Sequence, residues 1–230
     1  MTTELVWAVV AAAGDGRRLG HDLPKAFTGL GGRPLVARAI ELFEAHPRVE
    51  RMVVVVPDGW EEPTALLSDE LAAGKVAASV PGGATRALSV AAGLAEVAAS
   101  ATAVLVHDAA RPFASEELVD RVLDALRDAD GAVPGLPVND TVKRVRGGVV
   151  IETLDRAALR TVQTPQGFRA EALRRAFAAP AGELESATDC AQLVERSGGR
   201  VVVVDGEPEN LKITDTGDLA RAEAVVRERA

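Results

Sequence analysis

Tyrosine is absent from this 230-residue chain and aromatic residues make up only 3%, so any core must be built mostly from Val, Leu and Ala. Cys190 is the sole cysteine, which excludes an internal disulfide and leaves nothing to suggest an oxidising compartment. His21, His46 and His107 are scattered and have no cysteine cluster beside them, so no zinc site is expected. No repeat period and no low-complexity linker interrupts the chain. A net charge of −8 argues against non-specific nucleic-acid binding and against an acidic membrane surface. The opening MTTELVWAVVAAAG lacks a basic segment, and its apolar stretch is too short to span a bilayer, which points to the cytoplasm. Lysine is scarce as well: Lys25, Lys75, Lys143 and Lys212 are the only four among 26 Lys and Arg. In a chain that uses arginine nearly everywhere, a retained lysine hints that a compact ammonium was wanted there.

What remains is ample for one large domain, since 47% of the residues are hydrophobic. Short β-branched runs (5–12, 52–56, 76–80, 103–106, 131–136, 201–204) alternate with segments of helical period (34–45, 84–98, 115–129, 169–178, 187–197, 216–229). That alternation predicts an α/β fold over residues 1–230, a mostly parallel twisted sheet with helices on both faces. Residues 139–156 break the pattern. Val142, Val145, Val149 and Ile151 flank Gly147-Gly148, which reads as a protruding β-hairpin arm with a diglycine turn. A lone two-stranded ribbon is barely stable in water, so the arm is either an edge excursion of the sheet or a piece that packs on a second subunit.

Leu5–Ala13 looks like a strand buried on both faces, and it runs straight into Gly14-Asp15-Gly16-Arg17-Arg18, with Pro24-Lys25 shortly after. Glycines at a strand's end let the backbone approach a ligand and turn amide N–H groups toward an anion. Three cations in the same loop suit a triphosphate, and α/β sheets bind ligands beyond the carboxyl ends of their strands. A dinucleotide fingerprint fails because Leu19 stands where the third glycine belongs, and no Gly-Lys-Ser/Thr tripeptide of a P-loop occurs. Two further turns carry chemistry. Val104–Pro112 ends a buried run on His107-Asp108-Ala109-Ala110-Arg111, where Asp108 and Arg111 either pair with each other or line a site. Gly82-Gly83-Ala84-Thr85-Arg86, with Ser89, opens a helix whose free N–H groups can face a base or a phosphate. Asn210-Leu211-Lys212-Ile213-Thr214 precedes the last helix.

Together the AAAGxGRR…PK, VHDAARP and Asn-Leu-Lys-Ile-Thr strings resemble the 2-C-methyl-D-erythritol 4-phosphate cytidylyltransferases, within the sugar-phosphate nucleotidyltransferases. The resemblance runs from Val9 to Ala222 and implies a Rossmann-like nucleotidyltransferase fold. It implies transfer of a cytidylyl group from CTP to a sugar-alcohol phosphate, 2-C-methyl-D-erythritol 4-phosphate, with release of pyrophosphate, a step of isoprenoid precursor synthesis, with Mg²⁺ held mainly through the CTP phosphates and Asp108 a candidate for the metal or the ribose. By the same resemblance, Arg18, Lys25 and Lys212 are expected to be catalytic. Ala12, Ala13, Gly14, Asp15, Gly16, Gly82, Gly83, Ser89, Asp108 and Ala109 are expected to bind the nucleotide. Arg111, Thr141, Arg156, Thr164 and Thr188 are expected around the acceptor, with the arm exchanged in a homodimer. Three positions depart from the family pattern: Thr85 and Leu88 stand where acids are common, and Cys190 replaces the acid after Thr188-Asp189. More weight therefore falls on Gly82, Gly83 and Ser89 than on the side chains between them. Cys190 reads as a buried helix residue rather than a nucleophile. A ribitol 5-phosphate cytidylyltransferase shares these motifs and differs in the acceptor. A non-catalytic nucleotide sensor is the alternative of another kind, and the intact Arg18, Lys25 and Lys212 set argues against it.

Overall fold

In the computed structural model, which describes residues 4–14, 16 and 23–229, β1 (Val6–Ala11) is a six-residue strand buried on both sides. Successive side chains of a strand point to opposite faces, and here the two faces feed different layers. Val6, Ala8 and Val10 pack with one cluster, and Val9 packs with another. After the short ribbon β2 (Gly29–Leu30) and β3 (Arg33–Pro34), helix α1 (Leu35–Ala45) lays Val36, Ile40 and Phe43 on the first face. Next come β4 (Val49–Val56), α2 (Glu61–Glu70), β5 (Val76–Pro81) and α3 (Arg86–Ala95). Helix α3 covers the second face with Ala87, Val90 and Leu94. Thr85 caps it by accepting the Leu88 N–H at 3.3 Å.

The chain continues through β6 (Ala103–Asp108), α4 (Glu116–Ala125) and β7 (Gly131–Pro137), with Ser115 capping α4 as the sequence implies. The arm is formed by β8 (Lys143–Arg146) and β9 (Val149–Thr153), joined by Gly147 and Gly148 at φ +55° and +80°. Both glycines of the two-residue loop adopt the left-handed geometry that a tight hairpin demands. Then follow β10 (Arg160–Val162), β11 (Gln166–Arg169), α5 (Ala170–Phe177), α6 (Ala181–Glu185), α7 (Cys190–Arg196), β12 (Val201–Asp205) and α8 (Thr216–Glu228).

The main sheet has eight strands in the order β10-β7-β11-β6-β1-β4-β5, with β12 alongside β7. β1, β4, β5 and β6 run parallel. β10 and β11 are antiparallel insertions that the alternation of strands and helices did not predict. Helix α2 was also unpredicted, because Glu61, Glu62, Pro63, Asp69 and Glu70 leave it little apolar period to read. Several predicted helices are shorter than expected; the 187–197 segment begins its helix at Cys190, after Asp189 caps it. The register pairs Ala11 with Asp108 and with Val55, and Val56 with Pro81, so the carboxyl ends of four strands finish along one edge.

Candidate active site

That edge opens into a cavity of about 430 Å³. Its lining contains Ala12, Ala13, Gly14 and Lys25 from the first strand and its loop, Gly83 and Ser89 from the β5–α3 turn, Asp108 and Ala109 from β6, and Lys212. Nine of the residues singled out in the sequence thus meet at one place although they span 200 positions. Gly82 stands just behind this wall, where an added Cβ would meet that of Ala13 at 2.3 Å. Gly16 packs against Lys25. Asp15 and Arg18 lie outside the described residues.

Asp108 is the electrostatic centre. Its Oδ1 accepts from Arg86 Nε at 2.8 Å and its Oδ2 from Lys212 Nζ at 2.6 Å, while the residue is only 7% exposed. Burial alone would raise the carboxyl's pKa, but the two cations outweigh it and hold Asp108 well below the usual carboxylate range. Arg86 is correspondingly fixed in its charged form despite its own burial. Arg86 lines the cavity but was not among the site residues expected from the sequence, and the signal was present as a basic residue in the first turn of a helix facing the end of β6. Its Nη1 also lies 3.6 Å from Cys190 Sγ, whose thiol burial pushes up to about 11, so Cys190 is an inert neighbour.

Lys212 is delivered by its neighbours in sequence. Ile213 is fully buried among Leu30, Leu35, Phe113 and Ala222, and its N–H donates to the Ala110 carbonyl at 2.9 Å. Asn210 is fully buried too, donating to the Thr164 carbonyl at 2.9 Å. With its backbone anchored on both sides, Lys212 reaches Asp108.

The acceptor-side residues fall elsewhere. Arg111 does not pair with Asp108; its guanidinium donates to the carbonyls of Asn210 and Val162 at 2.8 and 3.2 Å. Thr164 is 4% exposed, and its hydroxyl lies against the Asp108 N–H beneath the strand end rather than in the cavity lining. Thr141 and Arg156 are exposed on the arm, and Thr188 is exposed before α7. On the arm and beside it, Val145, Val149, Val150, Ile151 and Val162 are 41–66% exposed, apolar side chains left open among the described residues.

Asp108 is the one carboxylate lining the cavity among the described residues, and these contain no group of three or more His, Cys, Asp or Glu side chains able to hold a metal ion. Both oxygens of this carboxylate already accept from cations, Arg86 and Lys212. A larger depression of about 970 Å³ lies at the opposite edge of the sheet, by Ala103 and Arg169. Its arginines are already engaged, Arg169 with the Leu126 and Arg127 carbonyls and Arg174 with those of Val97 and Ala98. No helix among the described residues is long and apolar enough to cross a membrane.

Comparison with known proteins gives a consistent result. The family described as 2-C-methyl-D-erythritol 4-phosphate cytidylyltransferase matches residues 6–228. A protein of that name from Rhodococcus jostii is 49% identical over 98% of this chain and 96% of its own length. A bifunctional enzyme IspD/IspF from Rhodospirillum rubrum is 43% identical over 96% of this chain, which spans only 57% of it. The crystal structure of a 2-C-methyl-D-erythritol 4-phosphate cytidylyltransferase from Thermus thermophilus superimposes with a TM-score of 0.78 at 41% identity, covering 96% of this chain and 98% of that one.

Proposed function

The chain belongs to the 2-C-methyl-D-erythritol 4-phosphate cytidylyltransferase family, and from that premise we propose that it transfers a cytidylyl group from CTP to 2-C-methyl-D-erythritol 4-phosphate. The reaction is a step of isoprenoid precursor synthesis by the non-mevalonate route. The observation that carries the reading is the meeting of Lys25, Lys212, Arg86 and Asp108 around one cavity at the carboxyl edge of the sheet. An acceptor phosphate oxygen attacks the α-phosphorus of CTP, the bond to the bridging oxygen of the β-phosphate breaks, and pyrophosphate leaves. The nucleophile is already ionised, so no strong general base is required. Catalysis then rests on in-line positioning and on cations placed where charge builds.

In this proposal Gly82, Gly83 and Ser89 form the wall for cytosine and ribose, with Ala12, Ala13 and Gly14 opposite. Arg18 and Lys25 serve the pyrophosphate and α-phosphate. Lys212, whose side chain is 38% exposed, is held by Asp108 until phosphate oxygens replace that partner. A magnesium ion bound through the CTP phosphates would neutralise triphosphate charge, and Asp108 is the residue of this chain that would hold it or the ribose. Thr141 and Arg156 grip the acceptor's phosphate from a second copy of the chain, whose arm buries the apolar strip around Val149; the protein is a cytoplasmic homodimer.

Pyrophosphate release with Mg²⁺ and CTP, varied over methylerythritol 4-phosphate and ribitol 5-phosphate, tests the reading. Turnover that needs the former is expected. A preference for ribitol 5-phosphate moves the assignment to that activity, and nucleotide binding with no turnover on either acceptor leaves a sensor.

A further inference from the structure

His107 is fully buried at the end of β6, edge-on to Phe43 with ring centroids 5.6 Å apart, and is not itself one of the residues lining the cavity. Both ring nitrogens are nevertheless committed. Nε2 lies 3.1 Å from the Arg111 carbonyl oxygen, and Nδ1 lies 3.1 Å from Thr164 Oγ1. A carbonyl oxygen has no proton to give, so Nε2 carries the hydrogen and donates it. Nδ1 then accepts, and the Thr164 hydroxyl must be its donor. The lone pairs of that hydroxyl remain free for the Asp108 N–H, which reaches Oγ1 at 3.0 Å. The direction of every bond in the chain is thereby determined: Asp108 N–H to Thr164, Thr164 O–H to His107, His107 N–H to the Arg111 carbonyl.

Register explains why such a device is needed here. β11 pairs Gln166 with Val106, and continuing that ladder places Thr164 opposite Asp108, with Pro165 between them unable to donate. The backbone ladder ends at this point, and side chains take over the task of tying Asp108 to its neighbouring strand. The loop closes on the backbone of the same turn, two residues of which, Asp108 and Arg111, make the contacts to Arg86, Lys212 and Asn210 described above.

We propose that His107 is a positioning residue, which through Thr164 sets the place of the Asp108 carboxylate. It deepens the proposed cytidylyl transfer, because Asp108 in turn locates Arg86 and Lys212 around the nucleotide.

Two near-isosteric substitutions separate the ends of the chain. In His107→Asn the side-chain oxygen occupies the place of Nδ1 and keeps the Thr164 bond; in His107→Gln the amide nitrogen occupies the place of Nε2 and keeps only the Arg111 bond. Each loses one buried hydrogen bond, so a purely structural role predicts equal losses of thermal stability and activity. The positioning role predicts that His107→Gln lowers kcat roughly tenfold while His107→Asn stays within about threefold of wild type. Hydrogen exchange of the Asp108 amide, read by NMR, needs no turnover: its protection should fall in His107→Gln and in Thr164→Val but hold in His107→Asn. Equal loss of kcat in the two histidine variants at equal melting temperature, or equal protection of the Asp108 amide in His107→Gln and His107→Asn, overturns the proposal. If wild type turns over neither acceptor, the proposed reaction fails, and the exchange protection still decides the role of His107.

Discussion

Replacing Gly82 by alanine tests the wall of the cavity. Gly82 does not lie in the left-handed region, so alanine meets no backbone penalty there and removes some freedom from the unfolded chain, worth about 0.4–1 kcal/mol in its favour. Against this, the new Cβ would stand 2.3 Å from Ala13 Cβ and 2.8 Å from Ser89 Oγ. Carbon atoms settle at about 3.5–4.0 Å, so Ala13 and residue 82 must part by more than about 1 Å. An alanine has no rotamer to change, which means that the strand-end loop itself moves away from the β5–α3 turn. Overpacking of this kind costs about 1–3 kcal/mol, leaving a net loss of about 1–2 kcal/mol. For a chain of this length that lowers Tm by about 2–4 °C per kcal/mol. The functional effect should be larger, because Ala13, Gly83 and Ser89 all line the cavity and a displacement of about 1 Å can cost roughly a hundredfold in rate. Urea unfolding and steady-state pyrophosphate release with CTP varied read the two effects. Gly14→Ala, with nothing within 4 Å of its Cβ, is the control and should unfold within about 0.5 kcal/mol of wild type. A Gly82→Ala protein with wild-type unfolding midpoint and wild-type kcat/KM would refute the argument.

Lys25→Ala and Lys212→Ala should each lower kcat by roughly a hundredfold or more with a smaller effect on CTP affinity, and Lys25→Arg should also be poor; near wild-type turnover removes that lysine from the mechanism. Burial lowers the His107 pKa to about 4, against 6.5 for an exposed histidine. The unfolded chain therefore takes up a proton at a higher pH than the native one. Stability is complete above pH 6.5 and declines by about 1.4 kcal/mol per pH unit down to pH 4, roughly 3 kcal/mol in all. Urea midpoints of wild type and His107→Gln between pH 7.5 and 4.5 should converge on acidification, and parallel curves contradict the assignment. Asp108, held low by Arg86 and Lys212, contributes stability above the ordinary carboxylate pKa that is lost only at still lower pH. Mixing Lys25→Ala with Arg156→Ala should restore activity to about one site per heterodimer if Arg156 acts across an exchanged arm; verified subunit exchange without recovery places Arg156 in its own subunit.

Periodicity and punctuation were enough to read the parallel half of the sheet, because a strand buried on both faces writes an unbroken apolar run such as Val6–Ala11 into the chain. The arm was legible for the same local reason: a two-residue turn at positive φ needs glycine, and Gly147-Gly148 supplies it. Lys212 was legible only through the resemblance of its Asn-Leu-Lys-Ile-Thr string, because a lone lysine near the end of a chain otherwise reads as solvated surface. Tertiary structure alone decided the pairings. Asp108 took Arg86 and Lys212, 22 and 104 positions away, in preference to Arg111 three residues on, because β6 aims its last carboxylate at the helix that follows β5 and at the loop anchored by Ile213. Thr164 was drawn under the strand end because β11 inserts antiparallel between β6 and β7. Four residues of strand flanked by a proline carry too little pattern to announce such an insertion. Which strand a segment joins depends on the edges left open by the rest of the sheet, and that information exists only once the other strands are in place.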